Sequence, residues 1–330
     1  MTERVLVLCA TSKTGRNVSR ALLEAGFEVY GTTRSTKPLP FGTAIKADYT
    51  NSDDLDQAFK ECKPQFVFGM VDYFNAAKKN PTLCEELGET IIDTIVRAKV
   101  EHLVWCSIGW ARNAPEKVTH FHALEKVATM VKNSGIASYS IIEPAAYFEN
   151  IDDPANWNPL KLGRVKFLTE ASLKWCSTYD IGRVAANHFS APTQFNGMTT
   201  ELATWEGSVH DLASAMEEVT NQKTVGKLAM PKFFRRLFLG CLHDMCEFFE
   251  AGGALKSPGY DIESSIQLIP SAFSAKDWFR FHLSSKGMLN ISPDLYDNTQ
   301  HLQSEAENSP KSSLRLFLPA SSPARRYSRW

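Results

Sequence analysis

One stretch near the start of the chain admits few folds. In VLVLCATSKTGRNVSRALLEAGFEVYGTTRS, residues 5–35, the apolar run 5–8 reads as a strand covered on both faces. Residues 16–25 follow as a helix with Val18, Leu22 and Leu23 on one face, stopped by Gly26. Residues 27–32 form a second strand. Strand, helix and strand of these lengths close as a right-handed parallel βαβ unit.

The alternation continues. Strands are predicted at 45–47, 65–71, 102–107 and 138–142, with helices at 52–62, 81–100 and 121–134. Ser52 is the expected cap of the 52–62 helix, ahead of Asp53 and Asp54, and Gly135 ends the 121–134 helix. This rhythm predicts an α/β fold built on a doubly wound parallel sheet. After Asn150 it loosens. Residues 151–167 read as loop and short strand, 178–189 as a helix, 199–223 as strand, turn and helix, and 224–289 as mixed helix and loop. From about residue 290 Ser, Pro and polar residues dominate without a period, so 290–330 is expected to be disordered. The predicted organisation is a nucleotide-binding domain at 1–150 and a smaller subdomain at 151–289, with 178–192 returning to the first core.

Composition narrows the function classes. A net charge of −1 gives no bulk attraction to nucleic acid or to an anionic membrane. Seven cysteines, an odd number with no CxxC pair, fit a reducing compartment. The chain opens on a charged strand, so no signal peptide is expected. Its most apolar later stretch, 233–249, contains Arg235, Arg236, His243, Asp244 and Glu247 and is too short to span a bilayer. A cytoplasmic protein is expected, with no nucleic-acid or membrane partner. His120 and His122 do not suggest a metal site, because i,i+2 spacing on a helix points ligands apart.

A βα turn holds phosphate when main-chain N–H groups point outward, the chain approaches closely and a helix N-terminus lends its partial positive charge. Here the turn is Cys9, Ala10, Thr11, Ser12, Lys13, Thr14, Gly15. Thr11, Ser12 and Thr14 offer hydroxyl donors and Lys13 a cation, where glycines are usual. Gly15 stands where helix and strand must pack closely. If the turn needs positive φ at Cys9 or Ser12, that residue is strained. An ordinary tight turn without a ligand is the competing reading. Arg34 ends the second strand, where an acidic residue would suit the 2′-hydroxyl of NAD and an arginine suits a 2′-phosphate. Ser35 and Lys37 add a hydroxyl and a second cation. Asp48 follows the third strand, positioned for adenine or simply as a loop carboxylate.

With CATSKTG, TTRS, KADYTNSDDLDQAF, HLVWCSIG, SIIEPAAYFENI and YDIGRVAANHF in view, the chain resembles the NmrA-like branch of the atypical short-chain dehydrogenases/reductases over roughly residues 3–289. The resemblance implies an NADP(H)-binding Rossmann domain with a small substrate subdomain. It puts the diphosphate on Cys9 to Thr14 and the 2′-phosphate on Arg34, Ser35 and Lys37. It puts adenine on Asp48 and Tyr49, the nicotinamide ribose near Val71, Asp72 and Tyr73, and the nicotinamide beside Tyr147, Phe148, Glu149 and Asn150. Reductases of this class carry a lysine eleven residues before the glycine at 135; here that residue is Leu124, and the related Tyr-x-x-x-Lys pair becomes His120 and Leu124. Lys126 lies about 200° away around the helix.

Carbonyl reduction needs a proton as well as a hydride. His120, Ser107 and Tyr147 are the candidates to supply or steer it. Their plain alternatives are a solvated helix start, a strand end and packing on the cofactor. An iminium carbon accepts hydride without a proton donor, so C=N reduction survives the loss of the lysine. The expected function is an NADP(H)-dependent oxidoreductase acting on a small organic molecule by C=O or C=N reduction, and the resemblance suggests fungal secondary metabolism. The alternative is a catalytically silent NADP sensor that binds a protein partner. The aromatic-rich second half (Trp157, Trp175, Trp205, Phe233, Phe234, Phe238, Phe248, Phe249) suits a substrate pocket or a plain core.

Overall fold

The computed structural model describes residues 2–35, 37–154, 158–257 and 259–289. The expected disordered tail and Trp157 lie outside them. Strands β1 (Arg4–Val7), β2 (Glu28–Thr33), β3 (Thr43–Lys46), β4 (Phe66–Gly69), β5 (His102–Cys106) and β6 (Tyr139–Pro144) alternate with helices α1 (Lys13–Glu24), α2 (Ser52–Cys62), α3 (Pro81–Ala98) and α4 (Thr119–Asn133). Beyond them lie β7 (Ala146–Tyr147), β8 (Arg164–Phe167), β9 (Leu173–Cys176), α5 (Thr178–Ser190), α6 (Pro192–Phe195), β10 (Thr199–Leu202), β11 (Trp205–Gly207), α7 (Val209–Thr220) and β12 (Val225–Leu228). Helices α8 (Lys232–Phe238), α9 (Cys241–Glu250), α10 (Gly253–Lys256), α11 (Ile262–Leu268) and α12 (Ala275–Ser285) complete the order.

Seven strands form one parallel sheet in the order β3-β2-β1-β4-β5-β6-β10. Strand order reverses between β1 and β4, which leaves a crevice above their C-terminal ends. One sheet face packs on α2, α3 and α4 through Leu6, Val67, Leu103 and Ile91. The other packs on α1 and α5 through Val5, Val7, Val18 and Ile181. A third cluster, with Trp175, Phe148, Phe249 and Trp278, fills the later subdomain. Thus α5 and β10, from the second half of the chain, belong to the first half's core. Among the described residues all seven cysteines are unpaired, and no helix is long and apolar enough to cross a membrane.

Two helix starts differ from the sequence expectation, for local reasons. Helix α1 begins at Lys13 rather than residue 16, because Ser12 caps it: the Ser12 hydroxyl accepts the Gly15 N–H at 2.9 Å. The cap of α2 is Asn51, not Ser52; its Oδ1 accepts from the N–H groups of Asp53 and Asp54 at 3.0 and 3.1 Å. Either side chain satisfies the pattern, and Asn51 is the one with extended backbone.

Candidate functional site

The β1–α1 turn is bent back on itself. Cys9 has φ 56°, in the left-handed region, while Ser12 is extended at φ −71°. Of the two positions where strain was expected, only Cys9 carries it. The Ser12 N–H donates to the Cys9 carbonyl at 2.8 Å and closes the turn. Gly15 faces that carbonyl: a Cβ there would stand 2.2 Å from the Cys9 oxygen. An α-helix leaves its first N–H groups without intrahelical partners. Ser12 takes that of Gly15, so those of Lys13 and Thr14 remain at the mouth of the crevice. Thr11 is exposed, Ser12 and Lys13 half-buried, and Ala10 and Thr14 buried.

Across the switch point the Cys9 thiol donates to the Met70 carbonyl at 3.7 Å. It also accepts the Tyr49 hydroxyl, and Asp72 and Arg34 lie within electrostatic reach. The ends of β1, β2, β3 and β4 therefore converge on one point. Burial pushes the Cys9 thiol up to about 12, so it stays protonated and unreactive at neutral pH. Burial likewise raises the Tyr49 phenol. Arg34, Ser35 and Lys37 are exposed directly after β2. Asp48 is half-buried; burial pulls its carboxyl up, but bonds from the Thr50 hydroxyl (2.7 Å) and N–H (3.0 Å), with Arg34 nearby, bring it below the usual range.

Several candidates already have work. Lys13 is not a free cation: its Nζ donates to the Glu149 carbonyl at 3.1 Å and pairs with Asp153 at 3.0 Å. The contact brings the turn against the 147–150 segment. The Asp72 carboxylate accepts from the N–H groups of Phe74 and Asn75 at 3.1 and 2.9 Å and so shapes its own loop. Val71 and Tyr73 are buried, and the Tyr73 hydroxyl donates to the Lys79 carbonyl at 3.0 Å. The Glu149 carboxylate accepts from the Ser177 hydroxyl (2.9 Å), the Thr178 N–H (3.0 Å) and the Trp278 indole (3.1 Å). It is a buried anchor for α5 and α12, turned away from the crevice by three partners. Phe148 is buried and stacked on Trp175 and Trp278; Asn150 is exposed.

The three proton candidates are close to the crevice but poorly equipped. His120 does not sit on a solvated helix start; it is 1% exposed, ringed by Tyr73, Phe74 and Phe121. Burial, helped by His122, holds its pKa down to about 4, so the ring is neutral at pH 7. The Ser107 hydroxyl spends its hydrogen on the Leu124 carbonyl at 3.3 Å. Tyr147 donates to the Cys106 sulfur, and burial raises its phenol far above its usual value with no cation among its influences. Lys126 is exposed and paired with Glu85 at 2.9 Å, on the far side of α4. Among the described residues no group of His, Cys, Asp or Glu is arranged to hold a metal.

Sequence reasoning missed three features of this edge. Trp110, in the β5–α4 segment, has φ 63° and a buried indole N–H with no partner among the described residues. Glu149 is an anchor rather than a wall of the crevice. Lys13 and Glu149 meet although 136 residues separate them. None has a local signature, since each depends on chain segments far apart.

A family model described as the NmrA-like family matches residues 1–279. An oxidoreductase of Aspergillus flavus, the NmrA-like family domain-containing oxidoreductase lnbB, is 24% identical over 253 residues, covering 68% of this chain and 75% of its own. Among solved structures, NmrA, a negative transcriptional regulator, in complex with NADP aligns with TM-score 0.66 at 16% identity, covering 88% of this chain and 98% of its own. Triphenylmethane reductase of Citrobacter sp., complexed with NADP(H), aligns with TM-score 0.65 at 14% identity, covering 84% and 99%. These likenesses support the doubly wound fold.

Proposed function

The chain belongs to the NmrA-like family, and from that premise we propose that it is an NADP(H)-dependent oxidoreductase acting on a small organic molecule. The observation that carries the reading is the convergence on Cys9 of the ends of four strands, capped by the uncommitted N–H groups at the start of α1. The cradle fits a dinucleotide: Gly15 allows a turn that a Cβ would fill, and exposed Arg34 follows β2. When bound, reduced NADP supplies a hydride. The turn from Cys9 to Thr14, with the hydroxyls of Thr11 and Ser12, holds the diphosphate. Arg34, Ser35 and Lys37 hold the 2′-phosphate; Asp48 and Tyr49 border the adenine. Val71, Asp72 and Tyr73 shape the ribose wall, and the segment from Tyr147 to Asn150 closes the nicotinamide end. Lys13 positions that segment rather than binding phosphate.

In this reading residues 1–150 serve the dinucleotide and 151–289 the substrate, with 178–192 bracing the first part. In this reading the protein works in the cytoplasm, in secondary metabolism of a fungus, the kind of organism that holds its oxidoreductase relative. Neutral His120, committed Ser107 and high-pKa Tyr147 leave no strong acid at the edge among the described residues. That favours C=N⁺ substrates, whose carbon needs no proton donor, over ketones. Purified protein should consume NADPH with cyclic iminium salts and turn over simple ketones at least roughly 10²-fold more slowly. Brisk ketone reduction with no iminium turnover would contradict this reading.

The same missing acid supports a second reading, a silent NADP sensor that binds a protein partner, as the structural likeness to a transcriptional regulator suggests. Tight NADPH binding with no turnover of either substrate class, and capture of a partner that NADPH modulates, would favour it.

A further inference from the structure

Among the described residues five buried side-chain polar atoms have no hydrogen-bond partner, and two of them lie on the β5–α4 segment: Trp110 Nε1 and His120 Nδ1. Both residues are more than nine-tenths buried. A buried donor without an acceptor is unfavourable, and so is a non-glycine residue at φ 63°. Trp110 carries both at once. Its backbone is held there: the Trp110 N–H donates to the Tyr260 hydroxyl at 3.2 Å. Tyr260 in turn takes its place from its own N–H, which donates to Glu201 at 3.2 Å.

The surroundings are aromatic. The Trp110 ring lies 5.3 Å from Phe249 and 5.2 Å from Tyr260. Phe249 lies 6.3 Å from Phe121, and Phe121 lies 4.7 Å from His120. The two unpartnered groups are thus joined by a continuous run of rings at the C-terminal edge of the sheet. Helix α9 brings Phe249 over this run and is tied to the segment by Lys117, paired with Asp244 and Glu247 at 3.4 and 3.2 Å. Strain and an orphaned donor coinciding on one residue of the segment that follows β5 mark a place where a ligand completes the hydrogen bonding.

We propose that the Trp110 indole N–H is the specificity-determining donor of a substrate subsite. It takes a planar, largely aromatic molecule bearing a hydrogen-bond acceptor, its ring packed against the run formed by Phe121, Phe249 and Tyr260. The neutral His120 ring offers a second polar contact at the other end. This deepens the oxidoreductase reading and rests on it for the subsite's role as a substrate site.

The test uses two probes of like shape, 2-acetylnaphthalene and 2-ethylnaphthalene, titrated into the full chain with saturating NADPH. The indole ¹⁵N–¹H signal of Trp110 is the first readout and affinity the second. The wild type should bind the ketone roughly tenfold or more tighter than the hydrocarbon, and only the ketone should shift the Trp110 indole signal. Trp110→Phe should bind the two probes alike while its NADPH affinity is unchanged. Tyr260→Phe, which frees the Trp110 backbone but keeps every ring, should shrink the preference without abolishing hydrocarbon binding. No preference in the wild type, no shift of the Trp110 signal, or a preference intact in Trp110→Phe would overturn the proposal. NADPH binding is titrated separately, so failure of the coenzyme reading registers as its own result.

Discussion

Replacing Gly15 by alanine should damage this protein at its coenzyme edge, by an amount the geometry sets. The new Cβ would stand 2.2 Å from the Cys9 carbonyl oxygen, 2.7 Å from the Cys9 carbonyl carbon and 2.9 Å from the Ala10 Cα. All three are main-chain atoms, so no side chain can swing aside. The turn is pinned by the Ser12 N–H on the Cys9 carbonyl at 2.8 Å and by β1 pairing with both β2 and β4. Ordinary contact is restored only if the first turn of α1 retreats by about 1 Å. Overpacking of this kind costs typically 1–3 kcal/mol, and rigid neighbours put it near the top, about 3 kcal/mol. A domain of this size should then melt about 6 °C lower. The retreat also withdraws the Lys13 and Thr14 N–H groups from the diphosphate. Losing one charge-assisted hydrogen bond weakens NADPH binding by roughly 10-fold or more. Gly182→Ala is the control. Its Cβ would meet Ala21 Cβ at 2.7 Å and Val18 Cα at 2.9 Å, midway along α1, so it should lower the melt while leaving NADPH affinity intact. Thermal melts and NADPH titrations on both variants decide the matter. Gly15→Ala melting and binding like the wild type would refute the argument.

Arg34→Ala should weaken NADPH binding by roughly 10-fold or more and leave NADH binding unchanged, since only the 2′-phosphate is lost to it; paired titrations check this. His120→Tyr with Leu124→Lys restores an acid and the cation that tunes it, and should raise ketone reduction by roughly 10²-fold or more; an unchanged rate would show that the pocket lacks room for a ketone rather than an acid. Stability should fall as the solution turns acidic. Burial holds His102 and His188 at about 4 and about 3 instead of 6.5. Below pH 6.5 the unfolded chain takes up protons that the folded chain refuses, a loss of about 2 kcal/mol for each by pH 5. Asp180, raised to about 6 by burial, works the other way: it is protonated more readily when folded and returns about 1 kcal/mol by pH 5. Urea midpoints should drop between pH 7 and pH 5, and less steeply in His188→Gln. A flat profile would mean that these imidazoles are not held neutral.

The sheet was legible because its strands are short apolar runs separated by amphipathic helices of ordinary length. Period and punctuation carry that information locally. The sequence pattern starts helix α1 three residues late, because Ser12 reads equally well as a turn residue and as a cap; only the Gly15 N–H on its hydroxyl separates the two. The crevice was legible in outline, since Cys9, Arg34, Asp48 and Asp72 each end a strand or open the loop behind it. What each side chain does there was not. Lys13 reads as a phosphate cation, yet it is drawn to Asp153 and the Glu149 carbonyl. His120 reads as a proton donor at the pocket or as part of a solvated helix start, yet Tyr73, Phe74 and Phe121 bury it. Long-range packing decides burial, and burial decides protonation; neither is written in the spacing of residues along one helix. Trp110 is the extreme case: its strain and its orphaned indole exist only once Tyr260 and Phe249 arrive from the far end of the chain.

The most direct test is a calorimetric titration of the wild-type chain with NADPH and NADH side by side. A glycine-poor turn that still holds a diphosphate, with Arg34 on the 2′-phosphate, requires NADPH to bind roughly 10-fold or more tighter than NADH. No heat with either dinucleotide, or a preference for NADH, would contradict it.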